Sequence, residues 1–162
     1  MRVTFWGVRG TFPATGHRFA RYGGDTMCIE VECGTTRLIL DAGSGLRALG
    51  DRLVKQDAPT EAHLLLSHAH IDHLIGLVQF APLRRPDTHV TVWSMGGSDD
   101  DPATAAKQLL APPFTPPDAS DFPACLDWKH AIAIFDPAPG VQVRPFPVNH
   151  PGGAAGYRVD YN

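Results

Sequence analysis

Residues Leu66–Leu77 read LSHAHIDHLIGL and set His68, His70, Asp72 and His73 within six positions, in a chain that holds only eight histidines. Residues two apart on an extended segment point to the same side, so His68 and His70 can meet one ion. Asp72 and His73 follow where the chain turns apolar, and a turn there brings a carboxylate and a third imidazole back toward the same spot. Nitrogen and oxygen donors of this kind suit zinc, manganese or iron better than calcium or a thiolate-bound metal. Three histidines at the mouth of a hydrophobic strand are costly to desolvate unless a metal or hydrogen bonds hold them. The cluster therefore predicts a metal site, whereas His17, His63, His89 and His130 are expected to be ordinary core or surface residues.

The elements that must position this cluster are short. Strand-like runs bounded by Gly, Pro, Asp or Asn recur at Arg2–Trp6, Met27–Glu32, Arg37–Leu40, Ala62–Leu66, His89–Trp93, Val141–Val148 and Gly156–Asp160. Three helices are expected between them. Leu46–Gln56 carries an apolar stripe at Leu46, Leu49, Leu53 and Val54, Asp72–Gln79 sets Leu74, Leu77 and Val78 on one side, and Pro102–Leu110 follows Asp101 as N-cap. Strands paired first and then alternating with helices imply a mixed α/β layer protein. Ala111–Pro123, APPFTPPDASDFP, is too proline-rich for a regular element and reads as a structured loop that walls a pocket.

At 162 residues and 43% hydrophobic, the chain fits one domain, residues 1–162, with a sizeable core. A formal charge of −3 with interspersed signs argues against a broad nucleic-acid or membrane surface, although a local basic pocket stays open. No long apolar run or secretory leader is legible, so a soluble cytoplasmic protein is expected. Cys28, Cys33 and Cys125 are odd in number and lack a Cys-x-x-Cys pair, which predicts buried free thiols rather than disulfides or a zinc knuckle.

His68-x-His70-x-Asp72-His73 at a strand end resembles the signature of the metallo-β-lactamase fold hydrolases. Leu38–Gly45, LILDAGSG, resembles that family's strand ending in an aspartate and a glycine turn, and Val148–Val159, VNHPGGAAGYRV, resembles the strand end that presents its next histidine. Phe5–Pro13 with Tyr22–Val31, and the proline loop, are most similar to the phosphodiesterase and tRNA 3′-processing branch, notably small bacterial cyclic-nucleotide phosphodiesterase-like members. The likeness runs over essentially the whole chain. It implies an α+β fold, an αββα sandwich whose C-terminal half is incomplete here. It further implies that His68, His70 and His150 hold a first metal, that Asp72 and His73 begin a second site, and that Asp41 supports the ligands without being one.

The chemistry so implied is that of a metal-dependent hydrolase, most simply a phosphodiesterase with a metal-bound hydroxide as nucleophile and zinc as one or two ions, manganese or iron being alternatives. Asp72 is the candidate for ligation and for orienting that nucleophile. Arg9, in GVRG, is a candidate donor to a phosphate and Phe114 a candidate to stack a base; a solvated turn arginine and a loop anchor are the plainer readings. A small phosphodiester or nucleotide is the expected substrate, and a thioester or lactam hydrolase is possible on the same scaffold.

The family pattern also calls for a metal-bridging aspartate and a last histidine after His150. Asp160 is the one acidic residue there, in a strand-like run, and no histidine follows. The chain is accordingly expected to be a fragment, one half that joins another chain, or a short form holding one metal. Self-association or a missing C-terminal segment follows from the exposed sheet face and edge that such an ending leaves. A catalytically incomplete metal-binding or interaction module is the rival to the enzyme.

Overall fold

In the computed structural model, which describes residues 1–96, 101–115 and 122–162, nine strands make two sheets. The larger holds β1 (Arg2–Gly7), β2 (Cys28–Cys33), β3 (Thr36–Leu40), β4 (Thr60–Leu65), β5 (Thr88–Ser94) and β6 (Cys125–His130), in that spatial order. β1, β2 and β3 pair antiparallel, and β3 to β6 pair parallel. The smaller sheet is an antiparallel set of β7 (Phe135–Ala138), β8 (Val141–Val148) and β9 (Ala154–Tyr161).

Alternation along the parallel strands builds two apolar layers. Ile39, Leu64, Val90 and Val92 meet Leu46, Leu49 and Leu53 of the helix α1 (Gly45–Lys55) on one face. Leu38, Leu65 and Trp93 meet Val141 and Val143 of the smaller sheet on the other. The order is helix, sheet, sheet, with β4 central and apolar on both sides, as parallel strands require. The second helix, α2 (Pro102–Leu109), starts as expected: the Asp101 carboxylate accepts from Ala103 N at 3.3 Å and Thr104 N at 3.1 Å.

Several expectations need correction. Asp72–Gln79 is not an α-helix but two short 3₁₀ turns, Ile71–His73 and Ile75–Gln79. Leu74, at φ −128°, breaks the helical path between them. Gly76 then passes so close to the turn after β3 that a Cβ on it would lie 2.0 Å from Gly43 O. Cys28 and Cys33 are buried free thiols, but Cys125 is exposed, because β6 is the sheet edge. Strands β6 and β7 were not expected at all. Residues 116–121 of the proline loop lie outside the described residues.

For the site, what matters is that β3 and β4 end side by side, with Leu40 paired to Leu65. Whatever follows each strand shares one rim of the sheet.

Candidate metal centre

Beyond β4 the chain leaves regular structure until Ile71, with His70 extended at φ −62°, ψ 142°, and four imidazoles gather at that rim. The His68 ring centroid lies 4.7 Å from His70, 4.1 Å from His73 and 4.4 Å from His150; His70 and His150 are 4.9 Å apart. His68, His70 and His150 each offer a nitrogen within 4.8 Å of the other two. His150 arrives on the β8–β9 hairpin, which is fastened to the end of β4: Ala155 N donates to Ser67 O at 2.8 Å, and the Tyr157 hydroxyl donates to Leu66 O at 2.8 Å.

Asp41, immediately after β3, organises the rings. It sits at φ 60°, a left-handed conformation uncommon outside glycine, which aspartate tolerates better than most residues. Its carboxylate accepts from Ser67 N at 2.7 Å and Ser67 Oγ at 2.8 Å, and His73 Nδ1 lies 2.7 Å from Oδ2. Since the Ser67 hydroxyl proton goes to Asp41, Ser67 Oγ accepts from His68 Nδ1 at 2.9 Å. His150 Nδ1 donates to Pro151 O at 2.7 Å. His68 and His150 thus both spend Nδ1–H on an oxygen, leaving Nε2 as a lone pair, the tautomer that metal-bound histidines take when an outer partner holds the other nitrogen.

The turn after β3 is pressed against the histidine loop by backbone contact. A Cβ on Gly43 would stand 2.3 Å from Asp72 O, while Ala42 N donates to His73 O at 2.7 Å and Gly76 N to Ala42 O at 2.8 Å. Only glycine at 43 and 76 lets the two loops meet.

Electrostatics separate the rings. Burial, then the neighbouring His73, pushes His68 down to about 4, with His150 and His70 adding to this against Asp41, so His68 is neutral at physiological pH. Burial opposes charge on His73 as well, but the Asp41 hydrogen bond and the charges of Asp41 and Asp72 hold it above its ordinary value.

The other expected residues fall into three groups. Asp72 is buried beside the cluster; its Oδ2 accepts from Thr11 N at 2.8 Å and lies 3.5 Å from His73 Nε2. Arg9 spends Nε on Phe12 O at 2.8 Å and lays its guanidinium over the Phe19 ring at 4.4 Å, so its contacts are within the N-terminal loop. Phe114 is exposed on the rim of an apolar groove of about 360 Å³ that includes Ala69 and Ile71, the residues flanking His70. Sequence reasoning missed Ser67, Thr11 N and Pro151 O, which hold Asp41, Asp72 and His150. Ser67 alone had a signal, being the residue between the buried strand and the first histidine.

Residues 36–162 match the beta-lactamase superfamily domain. Among solved structures the fold is similar to the metallo-beta-lactamase fold protein YhfI from Bacillus subtilis, with TM-score 0.65 and 18% identity over 97% of this chain and 56% of that one. It is similar to a diphosphatase of the PhnP family, with TM-score 0.62 and 16% identity over 97% of this chain and 61% of that one. The short form of human tRNase Z gives TM-score 0.62 and 14% identity over 99% of this chain and 64% of that one. The chain therefore spans between a half and two thirds of the length of these structures, and at such identities the likeness is one of fold, as the His-x-His-x-Asp-His spacing led us to expect. No curated protein sequence matches it. No helix among the described residues is long and apolar enough to cross a membrane.

Proposed function

Since the chain belongs to the beta-lactamase superfamily through residues 36–162, we propose that it is a metal-dependent hydrolase whose first ion is held by His68, His70 and His150, with zinc the best fit to three imidazole nitrogens. The observation that carries this reading is the convergence of three imidazole nitrogens within 4.8 Å, with Nδ1 of His68 and His150 already engaged by oxygens. Such an ion, when bound, polarises a phosphoryl or carbonyl oxygen and lowers the pKa of the water it holds from about 15.7 toward about 7.

The chain's own residues supply the rest. Asp41 and Ser67 fix ring orientation. Asp72, anchored by Thr11 N, presents its carboxylate to accept a proton from, and aim, the attacking water. Asp72 and His73 are the start of a second cation position. The groove behind Ala69 and Ile71 accepts the apolar part of a substrate, with Phe114 on its rim.

A phosphodiester is the substrate class we favour over a thioester or lactam, because two similar structures carry the names diphosphatase and tRNase. A metal-binding module without turnover is the second reading. It is the reading left if the three-histidine centre binds an ion but Asp160, paired with Arg158 at 2.8 Å and 38% exposed at its side chain, takes no part in it. Val3 and Phe5, both exposed on β1, support our proposal that a second copy of the chain packs there.

The test is hydrolysis of an aryl phosphodiester by the zinc-loaded chain and by His68→Ala, with circular dichroism as fold control. Loss of turnover and of bound metal in a folded variant supports the hydrolase. Metal binding without turnover in the parent selects the binding module, and turnover unchanged in His68→Ala contradicts the site.

A further inference from the structure

A second set of mixed donors stands on the opposite half of the same sheet, away from the histidine rim. His89 of β5 and Cys125 and Asp127 of β6 each offer a ligand atom within 4.8 Å of the other two. The register fixes this: His89 pairs with Cys125, and Thr91 with Asp127, so the three side chains leave one face of two adjacent parallel strands. His89 Nε2 lies 2.8 Å from Asp127 Oδ2. Glu61 pairs with His89 in the next strand, β4, which sets a further carboxylate in the same row of the same face. Asp127 has no other charged partner among the described residues, and the adjacent Lys129 places its ammonium over the Trp93 ring at 5.3 Å.

We propose that His89, Cys125 and Asp127 form a cation site separate from the histidine rim, selective for a borderline divalent transition metal such as zinc, that ties the edge strand β6 to β5. One imidazole nitrogen, one thiolate and one carboxylate are all zinc ligands, whereas calcium and magnesium would not choose the sulfur. The ion would take the place of the His89–Asp127 hydrogen bond, with the imidazole proton moving to Nδ1, and would displace the Cys125 thiol proton to solvent, so binding releases that proton. β6 is the outer strand of the larger sheet, where a cross-link gains most because the other side has no ladder. Exposure keeps the site open to exchange, unlike the nearly buried His68. It is independent of the hydrolase reading and shares no residue with it.

Sulfur makes the test specific. The histidine centre contains no thiol, and Cys28 and Cys33 are buried, so a thiolate-to-cobalt charge-transfer band can arise only from Cys125. The full chain, kept under a non-thiol reductant, is titrated with cobalt(II) past one equivalent. The expected result is that band, absent in Cys125→Ser, with affinity for the band-forming ion falling at least about tenfold in His89→Ala. All three side chains are exposed, so the variants remain folded. No thiolate band at two or more equivalents, or a band that persists unchanged in His89→Ala and Asp127→Asn, overturns the site, and His68→Ala must leave it unaltered.

Discussion

Glu30 and the histidine rim are two polar groups set among apolar strands, and they are finished differently. Glu30, fully buried on β2, accepts from Trp6 Nε1 at 3.0 Å and Arg37 Nε at 2.8 Å, and Arg52 pairs with the same carboxylate. Donors meet the carboxylate, and among these groups the buried Arg52 Nε alone is left without a hydrogen-bond partner. At the rim, Nδ1 of His68 and His150 is spent on Ser67 and Pro151, while His68, His70 and His150 each bring one nitrogen within 4.8 Å of the other two. A closed cluster is a structural tie; an open one, presenting lone pairs with no proton to share, is complementary to a cation.

The contrast can be broken or sharpened by experiment. Glu30→Ala should be the most damaging change. It leaves two guanidinium groups without their buried partner, for which about 3–5 kcal/mol is expected in urea unfolding, while zinc uptake by the surviving folded fraction stays the same. Zinc should do the reverse. At a free concentration about a hundred times Kd it should raise stability by about 2.7 kcal/mol in the parent and by nothing at the rim in a triple His68→Ala, His70→Ala, His150→Ala variant, read by thermal melting. A stabilisation that survives in that variant would move the effect elsewhere, in the first instance to His89 and Cys125.

Asp41→Asn should be intermediate. It keeps the size of the side chain but weakens its grip on Ser67 and His73, so zinc affinity should fall about 10–100-fold with little loss of fold, measured by competition with a chelator. The smallest effect expected is at another closed cluster, the start of α2. Burial raises the Asp101 carboxyl, but hydrogen bonds from Ser94, Thr104 and the Ala103 and Thr104 amides outweigh it and hold it below its ordinary value. A lowered folded-state value means that its contribution is present above about pH 4 and lost as pH falls through the folded value. Asp101→Ala should therefore cost about 1 kcal/mol at neutral pH and progressively less toward pH 2, followed by urea midpoints.

Sequence made the central strands legible because alternation, β-branching and flanking turns agree there. The three segments it misread fail for separate reasons. β6, CLDWKH, puts charge on one face and aromatic rings on the other at a sheet edge, so it lacks an apolar run. β7 spans only Phe135–Ala138 and contains Pro137, which an edge strand permits. Prolines 145 and 147 are tolerated in β8 because β7 pairs with β8 only at Val141 and Val143, leaving them at a local edge. The 3₁₀ turns after His70 owe their shape to Gly43 and Gly76, two loops distant in sequence, and no local period announces that contact.

Within the site, the converging histidines His68 and His70 were readable from spacing, and His150 from family likeness. The hydrogen bonds that fix their tautomers were not, since Asp41 and Ser67 are 26 residues apart and meet only because β3 and β4 end together.

The most direct test of the central claim is a long-range ¹H–¹⁵N correlation of the imidazole nitrogens, recorded without metal and at one equivalent of zinc. The account predicts that Nε2 of His68 and His150 and one ring nitrogen of His70 shift together on zinc addition while Nδ1 of His68 and His150 stays protonated. Nε2 resonances unmoved by zinc, or a shift confined to Nδ1, would contradict it.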